Sequence, residues 1–260
     1  MLCKICGETS NPQFKIKLLQ KYDVDYHRCP NCSFLQTEEP YWLEEAYSSA
    51  ISDLDLGPIN RAIRGARMIE GMIPIGFDPN AKFIDWGGGY GLLTRLMRDK
   101  GYDYYWHDPH CKNLFAKQFI ASEKHQYELM TAFEVFEHLA HPLDEIANML
   151  RFSKNIFFTT EIPPRKLTGA SDWAYFYPQT GQHISFYSVE TLKHIANRFG
   201  LHLNTDGHSL HLLSQRPVSA KLFGAVARDG WISRGLRQLG RRRLHKSSLL
   251  DADFRAGCNA

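Results

Sequence analysis

No apolar run among these 260 residues approaches the roughly 20 needed to cross a bilayer, which sets aside the membrane-spanning classes. The first six residues, Met1-Leu-Cys-Lys-Ile-Cys6, do not read as a secretory leader. A reducing, cytoplasmic location is therefore the expectation. Charge is nearly balanced, 31 Lys and Arg against 28 Asp and Glu, and a net charge of +3 is too small to argue for a nucleic-acid partner by itself. No internal repeat occurs, so no repeat array is expected. Hydrophobic residues make up 43%, enough for a full core, and the length suits one large domain or one domain with a small appendage.

Cysteine is sparse, and four of the six residues come as two pairs, Cys3-x-x-Cys6 and Cys29-x-x-Cys32. Each pair makes a tight turn that aims two sulfurs at one point, and two such turns with a short spacer are a zinc signal. Disulfides or free thiols are the alternative; the expected reducing location and the spacing favour zinc. Cysteine at all four positions implies a closed, structural ion rather than a catalytic one. Between the pairs Phe14, Ile16 and Leu18 alternate, as do Val24 and Tyr26, which predicts a hairpin carrying the knuckles. So small a ribbon cannot bury enough surface to fold alone, so the metal is expected to supply its stability. Cys111 and Cys258 read as ordinary thiols.

The stretch Phe83-Ile-Asp-Trp-Gly-Gly-Gly-Tyr-Gly91 is the one around which the rest of the chain is organised. An apolar run ends at Ile84, glycines stand at Gly87, Gly88, Gly89 and Gly91, and Leu92, Leu93, Leu96 and Met97 then repeat at helical spacing. That is strand, glycine turn, helix, a turn whose backbone a ligand can approach closely. Tyr102–Trp106 predicts a second strand with Asp108 just past its end. A carboxylate there can accept hydrogen bonds from both hydroxyls of a ribose; the plainer role is a turn residue before Pro109.

These residues carry a resemblance. The stretch from about Lys82 to Gln215 resembles class I S-adenosylmethionine-dependent methyltransferases. Asp85, Gly87, Gly89 and Gly91 resemble their first motif, and Glu134-Val-Phe-Glu137-His138-Leu139 resembles the segment after their fourth strand. The resemblance implies an α/β fold, doubly wound around a mostly parallel seven-stranded sheet, with the small N-terminal zinc ribbon added. It implies S-adenosylmethionine as cofactor, held by Asp85, Gly87, Gly88, Gly89, Gly91, Asp108, Phe133 and Glu134. The expected organisation is a zinc-ribbon segment over 1–40, a helical connector over 41–80, the methyltransferase domain over 81–215 and a basic amphipathic tail over 216–260.

Several features point to the acceptor side. Phe34 to Ile51 is rich in aromatics, and Tyr47 is set to cap the methionine end of the cofactor, to face the substrate, or to pack the ribbon on the main domain with Trp42. Asn113–Ile120 can hold one helical turn or a stunted third strand. Leu143, Ile146, Ala147 and Leu150 give one helix a buried face, and Ser188 caps another that Gly200 stops. Asn155–Thr160 is a strand, and Leu201–Asp206 and Ser209–Ser214 close the sheet as an antiparallel pair. Glu161 begins a long loop with Trp173, Tyr175, Phe176, Tyr177, His183, Phe186 and Tyr187, of a size expected to cover a site. His183 is the candidate base, or else a hydrogen bond tying down the loop; Tyr47 and Glu161 are the other catalytic candidates. Gly181-Gln-His-Ile-Ser-Phe-Tyr-Ser188 resembles a segment of zinc-ribbon methyltransferases that act on nucleotide-linked sugars, with Gln182 where some relatives have Glu. His138 is read as structural.

The tail from Arg216 gathers Arg228, Arg234, Arg237, Arg241, Arg242 and Arg243 among Leu222, Phe223, Val226, Trp231, Ile232, Leu236 and Leu239. Such a segment can lie weakly on an anionic membrane surface or against RNA, or pack on its own domain. The expected function is methyl transfer to a small polar acceptor, a sugar nucleotide or other glycan precursor in cell-surface polysaccharide biosynthesis, with the ribbon as a substrate-side wall. An RNA methyltransferase and a non-catalytic module of the same fold are the alternatives.

Overall fold

The structure is a computed structural model that describes residues 1–48, 56–244 and 246–258, with side chains from 239 to 244 outside the description. Ile51 in the connector therefore lies outside the described residues, as do the side chains of Leu239, Arg241, Arg242 and Arg243. The chain runs β1 (Asn11–Leu18), β2 (Tyr22–Arg28), β3 (Leu35–Thr37), α1 (Leu43–Ala46), α2 (Pro58–Met72), β4 (Lys82–Trp86), α3 (Leu92–Asp99), β5 (Asp103–His107), β6 (Leu129–Phe133), α4 (Pro142–Phe152), β7 (Ile156–Thr159), β8 (Ser185–Phe186), α5 (Val189–Phe199), β9 (His202–Thr205), β10 (Leu210–Ser214), α6 (Ala220–Ala227), α7 (Trp231–Leu244) and α8 (Leu250–Cys258).

The larger sheet has six strands in the order β5-β4-β6-β7-β10-β9. β5, β4, β6 and β7 are parallel, and β10 enters antiparallel between β7 and β9. Among the described residues the expected seventh strand is not formed: between β5 and β6 the chain meets the sheet in a parallel bridge between Trp106 and Ile120. The 113–120 stretch does not extend that pairing, because Asn113 turns it, accepting the Ala116 N–H at 2.8 Å. Strand residues alternate between two cores, as the period of two requires. Ile84, Met130, Ile156 and Phe158 face α4 and α5, while Phe83, Leu129 and Phe157 face α2, α3 and α6. Helix ends match the sequence signals. Pro142 starts α4, Ser188 and Thr191 form a reciprocal cap on α5, and Gly200 ends it at φ 65°.

The second sheet joins two distant parts of the chain. β1 and β2 form the expected hairpin, and β3 adds to β2. β8, from the long loop after β7, then pairs with β3, placing Leu35 opposite Phe186 and Gln36 opposite Ser185. The loop aromatics are spent on this joint: Phe176 and Phe186 are buried against Tyr26, and Tyr187 against Phe34 and Phe136. They glue ribbon to domain rather than walling a pocket. Trp42 is likewise buried and donates to the Gly181 carbonyl at 2.8 Å. In the tail, Phe223 and Val226 are buried in the core and α7 packs on α2, so this segment packs on its own domain; Trp231 stays 81% exposed.

Candidate functional site

The glycine turn is built as its sequence demands. The N–H groups of Gly87 and Gly88 both reach the His107 carbonyl of β5, at 2.8 and 3.1 Å. A Cβ at Gly88 would stand 2.6 Å from the Trp106 ring and 3.0 Å from Asp85 Oδ2, so no side chain fits. Gly91 takes φ 85° at the start of α3, a region that glycine enters without strain. Asp108 takes the turn role that the sequence offered and also meets the glycine turn. Its Oδ1 accepts the N–H groups of His110 and Cys111 at 2.8 and 2.9 Å, and its Oδ2 accepts the Gly89 N–H at 2.9 Å. The carboxylate thus stands against the glycine turn at the carboxyl end of β5, where open α/β sheets bind ligands.

Asp85 lies beneath the turn, only 3% exposed, and accepts the Thr131 hydroxyl at 2.8 Å. Burial pushes its carboxyl up to about 7, against the opposing pull of that hydrogen bond. Phe133 packs its ring on Gly65 of α2 and on Phe157, so any share it takes in holding a cofactor falls to its main chain. Glu134 sits at φ 54°, a conformation rare for a residue with a side chain. Two bonds to Thr159 hold it there: the Glu134 N–H donates at 2.9 Å, and the Thr159 hydroxyl donates back to Oε1 at 2.7 Å.

Beside the Asp108 turn a cavity of about 340 Å³ is lined by Leu43, Tyr47, His110, His138, Ala140 and Glu145. The Tyr47 ring stacks on His110, 5.2 Å between centroids, and its hydroxyl meets His138 Nδ1 at 3.1 Å. His183 lies behind, with its ring 4.8 Å from that of His138. Its Nδ1 stands 2.6 Å from the Tyr175 carbonyl oxygen, which can only accept, so Nδ1 carries the proton and Nε2 keeps the lone pair. Burial pushes His183 down to about 4, so the ring is neutral near pH 7. Gln182 does not orient it: that side chain donates to the Ala46 carbonyl at 2.8 Å, fastening α1. Glu161 accepts the Trp173 indole N–H at 3.0 Å and anchors the loop after β7.

Sequence reasoning assigns no role to Glu137 and leaves Tyr175 as one loop aromatic among several. Glu137 is fully buried and accepts the Tyr175 hydroxyl at 2.6 Å, while the same hydroxyl lies 3.2 Å from Glu134 Oε2. The acid-x-x-acid-His spacing after β6 is the available signal; the approach of Tyr175 and His183 comes from the loop's path, which no spacing records.

At the N-terminus the four paired cysteines converge. Cys3 and Cys32 sulfurs are 3.5 Å apart, Cys6 and Cys29 sulfurs 3.4 Å, and all four lie within 4.8 Å of one another with no disulfide. Each knuckle ends on a left-handed residue, Gly7 at φ 79° and Ser33 at φ 61°. Four thiols at these separations fit one tetrahedral ion with bonds of about 2.3 Å.

Residues 61–205 match a family profile described as a methyltransferase domain. Solved structures that resemble the chain include an S-adenosylmethionine-dependent methyltransferase from Leishmania major, 17% identical over 66% of this chain and 82% of that one, TM-score 0.44. Another is the plantazolicin methyltransferase BpumL in complex with S-adenosylhomocysteine, 14% identical over 66% and 94%, TM-score 0.47. A third is an O-methyltransferase family 2 protein from Planctomyces limnophilus complexed with apigenin, 13% identical over 66% and 66%, TM-score 0.45. No curated protein matches the chain.

Proposed function

We propose, from the premise that this chain belongs to the methyltransferase-domain family and is an S-adenosylmethionine-dependent methyltransferase, that its acceptor is a hydroxyl of a small polar molecule, a sugar or nucleotide-sugar used in cell-surface polysaccharide biosynthesis. The observation that carries this reading is the cavity between the Asp108 turn and His138, in which aromatic faces alternate with polar heads as a sugar requires. The cofactor supplies a methyl group on a sulfonium. Asp108 would hold the ribose, and the Gly87–Gly91 main chain with Glu134 the methionine end. Asp85 would brace the turn from below.

His183, behind His138, keeps an Nε2 lone pair in the tautomer a proton acceptor needs and would take the proton from an acceptor hydroxyl that reaches it. Tyr47 positions the acceptor from the opposite wall through its bond to His138, and Glu161 keeps the covering loop in place. Alignment of acceptor oxygen, methyl carbon and sulfur supplies much of the rate. The ribbon holds one structural zinc on Cys3, Cys6, Cys29 and Cys32 and secures the loop that carries His183. Incubation with methyl-labelled cofactor and a pool of nucleotide sugars tests the reading. Label in a sugar is expected; label only in RNA, or in nothing, overturns it.

A further inference from the structure

A second group of potential ligands lies outside the ribbon. The ligand atoms of Glu137, His138 and His183 lie within 4.8 Å of one another. Two atoms on one ion stand at most about 4.2 Å apart, twice a bond of about 2.1 Å. Closing the group on an ion therefore takes a shift below an ångström. We infer that Glu137, His138 and His183 form a binding site for a divalent first-row transition cation, distinct from the four-cysteine site, which orients and activates the acceptor hydroxyl.

Four observations carry it. Glu137 is fully buried, and its Oε2 has at most the nearby Thr160 hydroxyl for a partner. A buried polar atom left so is costly and calls for another. Glu134 and Glu137 share the single Tyr175 hydroxyl proton, and among the described residues no lysine or arginine pairs with either acid. Burial and the neighbouring Glu134 push the Glu137 carboxyl well above its ordinary range, and a divalent ion relieves the same repulsion that a proton would. Among the described residues no hydrogen bond reaches His183 Nε2, while Nδ1–H is anchored on the Tyr175 carbonyl. A ligating histidine is commonly held in this way, its other nitrogen donating to a carbonyl that fixes ring and tautomer. Last, His138 lines the cavity and meets the Tyr47 hydroxyl there, so an ion on this histidine stands next to the acceptor space, with Glu137 and His183 behind it.

Two imidazoles with a carboxylate suit manganese, iron or zinc better than calcium. The use of the ion rests on the hydroxyl-acceptor reading above; its binding does not. With the acceptor oxygen on the ion, the hydroxyl loses its proton to water. The oxygen then bonds to the methyl carbon as the sulfur–carbon bond breaks and the sulfur keeps the electron pair. His183 would thus serve the acceptor through the cation instead of taking the proton itself.

Manganese separates the two metal sites, because thiolates prefer softer ions. Zinc-loaded full-length protein is titrated with Mn²⁺ by calorimetry, with electron paramagnetic resonance reading free and bound ion. One Mn²⁺ per chain is expected beyond the zinc. Glu137→Gln and His138→Ala should each abolish it while zinc content and S-adenosylmethionine affinity stay at the parent values. Tyr175→Phe, which removes a group one shell out and disturbs packing least, should weaken Mn²⁺ by about 10- to 100-fold. Absence of Mn²⁺ binding, or binding equal in parent and variants, overturns the site. Mn²⁺ binding without any labelled sugar would fault the substrate reading and leave the site standing. Methylation of an acceptor at equal rates with and without bound Mn²⁺ overturns the assigned use.

Discussion

Arg98 and Asp253, 155 positions apart, form a two-pronged ion pair with Nε to Oδ2 at 2.9 Å and Nη2 to Oδ1 at 2.8 Å. Arg95 adds a contact to the same carboxylate at 2.9 Å, and the Arg98 guanidinium lies 3.5 Å over the Phe119 ring. These contacts hold α8 against α3 and the β5 edge, next to where the third strand shrinks to the Ile120 bridge. The C-terminal helix thus covers part of an edge that a strand and its crossover would otherwise protect.

Asp253→Ala should therefore destabilise the whole domain. Both side chains are nearly buried, at 7% and 9% exposure, and without Asp253 the Arg98 guanidinium keeps Asp103, at 2.8 Å, but loses its two-pronged partner. A loss of about 1.5–3 kcal/mol is expected, the cost of unmade hydrogen bonds between charged groups. Urea unfolding of parent and variant measures it; a difference below about 0.5 kcal/mol, ordinary for a surface change, would show that α8 is only resting on the surface.

Zinc removal should be felt beyond the ribbon. The Cys32 carbonyl accepts the hydroxyls of Ser188 and Thr191, at 2.9 and 2.8 Å, so a knuckle sits on the cap of α5. Metal analysis should find one zinc per chain, lost in Cys29→Ser. Hydrogen exchange should then rise at β8 and the first turn of α5 as well as at the knuckles, because the ribbon and that segment share one sheet. Exchange confined to the first 40 residues would mean that the joint holds without the ion.

Asp108→Ala should weaken S-adenosylmethionine binding by about 1–3 kcal/mol, the cost of leaving charged hydrogen bonds unmade. Asp108→Asn is the control. An amide oxygen can still accept the His110 and Cys111 N–H groups that Oδ1 now takes, so the turn survives while the charge is gone. Calorimetry should place Asn between parent and Ala; unchanged affinity in both variants would remove the ribose assignment.

Where residues act locally, the fold was legible in the sequence. The glycine turn, the Pro142 and Ser188 helix starts, the hairpin and the closing antiparallel pair arise from backbone preferences and period-two patterns that neighbours can read. What failed was non-local. The 113–120 stretch did not become a seventh strand: it turns on Asn113 and meets β5 only at Ile120, while α8, from the far end of the chain, packs beside it. The long loop was expected to cover a site, but burial of its Phe176 and Phe186 depends on β3, some 150 residues earlier, adding β8 to the ribbon. The Glu137–Tyr175–His183 contacts were hidden for the same reason.

Asp85 gives a pH dependence whose sign is fixed by burial. Its carboxyl, near 3.8 when exposed, is pushed up to about 7 in the folded chain. Between about pH 4 and 7 the folded state therefore holds a proton that the unfolded state has lost, and stability falls as pH rises. The slope from this one group is about 1.4 kcal/mol per pH unit at most, and it vanishes above 7, where both states are ionised. Asp85→Asn keeps an oxygen for the Thr131 hydroxyl but cannot ionise. The variant should match the parent near pH 4, gain on it steadily through pH 7, and stay more stable by a constant amount beyond. Taking the difference between the two proteins cancels the other titrating groups, the buried Glu137 included. Parallel unfolding curves from pH 4 to 8 would mean that Asp85 is already ionised and hydrogen-bonded at low pH, and that the turn above it rests on a charge instead of a neutral acid.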